Sequence, residues 1–183
     1  MNQTDNFRYW ANDNIQFLQM PYIDNRISMS IVLPKQKDGL STIEKTLLMD
    51  SISIWFSKSS TTKVEVFLPR FKFLTNTNIK QNLQQLGIES AFNYKSADFS
   101  GISGHQDSLF IEKALQKAFI LVDEEGTEAS SIDGILAGVG GLSSKLPPPI
   151  PVFRADHPFL FVINENSTGS ILFIGRVMNP LKN

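Results

Sequence analysis

The sequence contains no cysteine, which excludes disulfides, thiolate metal sites and a cysteine nucleophile. Histidine is scarce, with only His105 and His157. An excess of either charge is missing as well. Lys plus Arg total 17 against 18 Asp plus Glu, a net charge of −1, so neither a nucleic-acid nor an anionic-membrane partner is implied. No apolar run reaches the roughly 18 residues that a membrane span needs. The first residues, MNQTDNFRYWANDN, lack the basic-then-apolar pattern of a signal peptide. These features leave the compartment open: extracellular if a truncated parent carried a signal, cytoplasmic for the chain as given.

What is present suits an ordinary globular protein. The 183 residues are 42% apolar and 19% charged, enough for one domain with a sizeable core. The 14 Phe fit sheets that bury aromatic side chains. Ile15 to Met20 and Ile27 to Leu33 are apolar runs bounded by Pro21, Asp24, Asn25 and Pro34, which predicts a hairpin-like strand pair. Ser41 and Glu44 match a capping box that opens a helix through Ile43, Leu47 and Leu48. A second short helix is expected over Asp50 to Ser57, carrying Trp55. Val64 to Phe73 reads as one strand with an edge, bulge or bend at Pro69. Asn78 to Leu86 reads as a helix ended by Gly87. Phe110 to Asp123 fits a helix by its Ala and Lys content and a buried strand by its AFILV run. Phe159 to Asn164 and Ser170 to Val177 read as strands joined by the ENSTG turn.

From Glu124 to Pro151 the pattern changes. Glycines fall at 126, 134, 138, 140 and 141, serines at 130, 131, 143 and 144, and prolines at 147, 148, 149 and 151. A structureless stretch of more than about 15 residues inside a compact domain is usually functional or disordered. The bottom-up expectation is thus an α+β domain with mainly antiparallel sheets, short helices and one long exposed loop near the C-terminus.

Phe153-Arg-Ala-Asp-His-Pro-Phe-Leu-Phe-Val-Ile163 resembles the signature that follows the reactive loop of serpins. Upstream, Glu124-Glu-Gly-Thr-Glu-Ala129 is similar to that family's loop hinge. Val64–Phe73, Leu86-Gly-Ile88, Phe92 and Ala97-Asp-Phe-Ser-Gly-Ile102 match the serpin order of strand, helix and turn. Pro21-Tyr22, Ile27 to Pro34, Phe173 to Val177 and Asn179-Pro180 fit the family at each end. The resemblance runs collinearly over almost the whole chain, 1–183, as a partial serpin domain with its reactive loop at about 124–153. A family domain is roughly twice as long, so the fold implied is the C-terminal half of a serpin.

The resemblance implies a serine-protease inhibitor that acts as a suicide substrate, not an enzyme. A target protease, serine or cysteine, attacks the loop, and the cut loop then adds as a strand to the main sheet and releases stored strain. No catalytic residue, metal or cofactor is implied. The hinge would comprise Glu124, Glu125, Gly126, Thr127, Glu128 and Ala129. The candidate scissile region is Gly140, Gly141, Leu142 and Lys145, with Leu136 a further choice; Lys145 suits a trypsin-like protease, and the leucines a chymotrypsin- or elastase-like one. The signature residues are Phe153, Ala155, Asp156, His157, Pro158 and Phe159. By the family pattern Thr127, Ala129, Ser131 and Asp133 turn inward on insertion, while Glu128, Ser130 and Ile132 face out. Three of the inward four are small, as a packed core requires. Asp133 is not, since burial of an unpaired carboxylate is costly.

Two alternatives accompany the inhibitor reading. One is a non-inhibitory or inert serpin remnant. The other is a half-domain that needs a separate N-terminal partner chain, drawn to an open sheet edge. Blander readings cover the remaining features. Glu124 with Glu125 is read as a solvated loop start, not an acid–base pair. Gly138-Val-Gly-Gly141 lacks the context of a phosphate-binding loop. Lys113 and Lys117 are outward lysines, and His157 is read as positioning the strand after the loop.

Overall fold

The computed structural model of the chain describes residues 1–46, 49–105, 109–123 and 149–180. Nine strands are described: β1 (Asn2–Ala11), β2 (Ile15–Pro21), β3 (Ile27–Pro34), β4 (Ser60–Phe67), β5 (Phe71–Asn78), β6 (Leu115–Val122), β7 (Val152–Arg154), β8 (Phe159–Glu165) and β9 (Ile171–Val177). The helices are α1 (Leu40–Thr46), α2 (Met49–Lys58), α3 (Lys80–Gln85) and α4 (Ser100–Ser103), with a 3-10 turn at Ser90–Phe92. A seven-stranded sheet has the order β7-β4-β1-β2-β3-β8-β9, and β5 and β6 form a separate two-stranded sheet. The chain divides into two compact units, Met1–Phe71 with Val122–Asn183, and Lys72–Leu121.

In the first unit the expected β2–β3 hairpin forms, with Phe17 opposite Val32 and Leu18 opposite Ile31. Asn25 adopts a positive φ of 54 in its turn, a conformation that Asn tolerates well. β1 was not foreseen, because its polar start, NQTDN, carries no apolar alternation. It is nonetheless the joint of the sheet: Asn2 to Tyr9 pair with β4, and Arg8 to Ala11 pair with β2. β8 reads FLFVI, and Phe159 to Ile163 are all buried, as expected of a strand covered on both faces. α1 and α2 close over Ile15, Phe17, Val32 and Leu160, with Leu40, Ile43, Trp10 and Trp55 completing the cluster.

The predicted capping box does not form. α1 begins one residue earlier, at Leu40, and Glu44 does not reach back to Ser41. Its carboxylate oxygens accept from Arg176 Nη1 at 2.9 and 3.2 Å, an ion pair that ties α1 to β9. Val64 to Phe73 is not one bent strand either. The run breaks at Leu68-Pro69-Arg70 into β4 and β5, which belong to different sheets. Proline has no N–H to donate to a ladder, so Pro69 separates the two strands.

Gly175 of β9 is demanded by packing. A Cβ there would lie 2.5 Å from Phe161 Cζ and 2.7 Å from Cε1. The Phe161 ring is 1% exposed and is held 5.6 Å from the Phe71 ring, which also packs edge-on against Phe159 at 5.9 Å. Gly175→Ala is expected to cost about 1–3 kcal/mol by overpacking. Urea unfolding checks this, and the double variant with Phe161→Leu should lose less than the sum of the two single changes.

In the second unit, Gly87 ends α3 as expected. It sits at φ 93, and its N–H donates to Gln84 O while Ile88 N–H donates to Leu83 O, a C-terminal cap that favours glycine. Within Phe110 to Asp123, Leu115–Val122 form a strand, β6, in which Leu115, Phe119 and Leu121 are 60%, 54% and 55% exposed.

Candidate functional site

The candidate site is the stem through which the 124–153 segment enters the seven-stranded sheet. β7 lies parallel to β4, with Val66 opposite Phe153. Glu65 N–H donates to Pro151 O at 2.9 Å and Ala155 N–H donates to Phe67 O at 2.9 Å. Gln16 Nε2 donates to Val152 O at 3.3 Å. Phe153 is wholly buried and Ala155 is 1% exposed, so this three-residue strand is nailed down by alternate side chains that face one way. The Arg154 guanidinium, on the other face, sits 3.6 Å from the centre of the Phe67 ring, a cation–π contact.

The turn after β7 is fixed by His157. Its Nδ1 lies 2.7 Å from Asp156 Oδ1 and its Nε2 lies 2.6 Å from the carbonyl oxygen of Pro34, at the end of β3. The imidazole side chain is 12% exposed. The hydrogen bond from His157 holds the Asp156 carboxyl below the usual carboxylate range, against a smaller opposing effect of burial and with support from the positive charges of His157 and Lys37. Pro158 is half-buried, and Phe159 is fully buried at the start of β8. The signature thus consists of buried anchors, Phe153, Ala155 and Phe159, spaced by a hydrogen-bonded turn.

Across β8 and β9, the ENSTG hairpin is organised by Glu165. Its carboxylate accepts from Thr168 N–H at 2.7 Å, from Thr168 Oγ1 at 2.7 Å and from Ser167 Oγ at 2.9 Å. These bonds, those of Thr168 foremost, lower its pKa to about 2. The sign follows from linkage: a carboxyl whose folded pKa is depressed stabilises fully above its unfolded value, and that stability is lost as pH falls through the folded value. The Thr168 amide resonance is expected to hold steady down to about pH 3 and to shift near pH 2, and Glu165→Gln should abolish the titration.

The hinge residues Glu124, Glu125, Gly126, Thr127, Glu128 and Ala129 lie outside the described residues, as do Gly140, Gly141, Leu142 and Lys145. Among the described residues no group of three or more His, Cys, Asp or Glu is placed to hold a metal ion, and no helix is long and apolar enough to cross a membrane. The motif itself was legible, but its partners were not. The Pro34 carbonyl, Gln16 and Phe67 are distant in sequence from the residues they hold, and no local pattern marks them.

A sheet-dominated α+β fold with a short parallel strand leading into FRADHPF defines a serpin C-terminal half. The model of the family described as serpin (serine protease inhibitor) matches residues 1–180, and the chain belongs to that family. It is 40% identical over 178 residues to a serine protease inhibitor of Cyanea capillata, an alignment that covers 94% of this chain and 45% of that protein. It is 38% identical over 178 residues to the leukocyte elastase inhibitor of Xenopus laevis, covering 95% and 45%. Among solved structures it is similar to uncleaved ovalbumin, with a TM-score of 0.82 and 32% identity over 98% of this chain and 47% of that one. The chain therefore spans less than half the length of the curated relatives it matches.

Proposed function

We propose that this chain is the C-terminal half of a serpin-type protease inhibitor and presents residues 124–153 as a bait for a serine or cysteine protease. The observation that carries this reading is the stem. The bait segment leaves one sheet at Val122 and re-enters another at Val152, so both ends are anchored while a protease works between them. Its role is to bind and trap, not to catalyse.

Trapping needs more than this half. Insertion of a cut loop requires a slot with two walls, and β6 supplies one of them in the family pattern. The exposed Leu115, Phe119 and Leu121 of β6, on a face they share with Lys117, fit burial against the preceding half of the domain, on the same polypeptide or on another chain. Alone, the 183-residue chain acts as a substrate. A second reading, a non-inhibitory serpin, is favoured by Asp133, which the family pattern turns inward on insertion.

Incubation with trypsin-like, elastase-like and subtilisin-like proteases, followed by a denaturing gel, tests both parts. Clean cleavage of the isolated chain within 134–146 is expected, with protease activity retained. Supplying the N-terminal half should convert part of that product into a band at the summed mass that survives denaturation. A completed domain that never yields such a band with any of these proteases would leave the non-inhibitory reading in its place.

A further inference from the structure

β7 lies at one end of the seven-stranded sheet, so only one of its edges meets a strand. Pro151 O accepts from Glu65 N–H, and Ala155 N–H donates to Phe67 O. Residues 151, 153 and 155 therefore turn their backbone groups toward β4, while Val152 and Arg154 turn theirs to the outer edge. An outer edge with bare backbone groups is a template on which another strand can add. Here both outward carbonyls are occupied. Arg154 O accepts from Asp156 N–H at 3.0 Å, and Val152 O accepts from Gln16 Nε2 at 3.3 Å. The first bond is local, whereas the second spans 136 residues of chain. Gln16 is well placed to make it. Its neighbours Ile15 and Phe17 are 5% and 0% exposed in the cluster that α1 and α2 close over. Its backbone lies between Ala11 of β1 and Leu33 of β3, and the Tyr9 phenol is hydrogen-bonded to the same side chain.

We propose that Gln16 is a positioning residue for the bait, a role that rests on reading the 124–153 segment as one. Its amide closes the outer edge of β7 and fixes the point at which that segment enters the sheet. Phe153 anchors the strand from the core. Gln16 holds the residue just before that anchor, on the side where the segment arrives. Without the amide, Pro151 and Val152 lift from β4 as far as the Phe153 anchor. The bait then gains slack at its C-terminal end, and the bared edge of β7 is open to strand addition.

Hydrogen exchange of the full chain tests this with no protease present, so its failure is distinct from a failure of the bait to be cut. The Glu65 amide reports the Pro151 end of the stem, and the Ala155 amide reports the far side of Phe153. Gln16→Met keeps the length of the side chain and removes the donor. It is expected to lower protection at Glu65 by about threefold to tenfold, the size set by one neutral hydrogen bond. Ala155 and an amide in the centre of β3 should be unchanged. Gln16→Glu, whose ionised carboxylate only accepts and opposes the Val152 oxygen, should lower protection at Glu65 further. Gln16→Lys restores a donor on an unbranched chain and should match the parent. Unchanged protection at Glu65 in Gln16→Met overturns the proposal. So does an equal fall at Glu65, Ala155 and the β3 amide, which marks a general loss of stability. A fall in Gln16→Lys as large as that in Gln16→Met overturns it too, because the N–H is then not what holds the stem.

Discussion

Replacing Phe153 by alanine is expected to destabilise the seven-stranded sheet by about 3–5 kcal/mol and to free β7 from β4. The strand is three residues long, and two backbone hydrogen bonds join its flanks to β4, each worth a net 0.5–1.5 kcal/mol or about that. A fully buried phenylalanine removes roughly 150–250 Å² from water, so the side chain outweighs these two flanking bonds. Val152→Ala on the same strand removes a side chain that is 43% exposed and should change stability by about 0.5 kcal/mol or less. Urea midpoints measure the first effect, and exchange at the Ala155 and Glu65 amides measures release of the strand. If both variants shift the midpoint equally, the backbone and not Phe153 holds the stem.

The elements that could be read from sequence are those whose pattern is complete within a few residues. β2 and β3 are apolar runs closed by Pro21, Asp24, Asn25 and Pro34, and they form the pairing expected of them. Gly87 ends α3 because the left-handed position it occupies is a local demand. Failures arise where a distant partner decides. Glu44 satisfies the capping-box spacing but is drawn to Arg176, 132 residues away, so the guanidinium wins over the helix N-terminus. β1 becomes a strand through its partners β2 and β4 and not through its own alternation. Pro69 was recognised as a disruption, yet only the fold shows that it divides two sheets. β6 could not be told from a helix because its apolar residues lie on both faces.

The candidate site divides along the same line. Phe153 to Phe159 was legible as a motif because its residue types and order are specific. The reason for each residue was not. Phe153 and Phe159 prove to be core anchors, and Asp156 with His157 forms a charge-assisted bond inside the turn. The other half of that arrangement, the carbonyl of Pro34, contributes a backbone atom, and a backbone acceptor leaves no trace in side-chain pattern. Arg154 likewise could not be assigned to Phe67, since any aromatic ring could serve a guanidinium.

In a domain completed by its N-terminal half, Asp133→Ala is expected to raise the yield of covalent complex by about thirtyfold. Under the proposed trapping function, hydrolysis and loop insertion compete after acylation, so the outcome depends on how the barrier to insertion compares with the barrier to deacylation. If Asp133 turns inward as the family pattern implies, insertion must bury an unpaired carboxylate or protonate it first. Protonating an ordinary aspartate at pH 7 costs about 4 kcal/mol. If half of that is felt in the transition state, the partition shifts by about thirtyfold. The same cost falls as the pH is lowered, so the parent domain should trap better under mildly acidic conditions, while Asp133→Ala should show no such gain. The moles of inhibitor consumed per mole of protease inactivated measure this partition independently of the protease's own pH profile. Ser131→Ala, one step back on the same face, removes a small side chain and should leave the ratio nearly unchanged. Equal ratios for the parent and Asp133→Ala would mean that insertion stops before residue 133, so that whatever limits trapping lies closer to the hinge at Glu124 to Ala129.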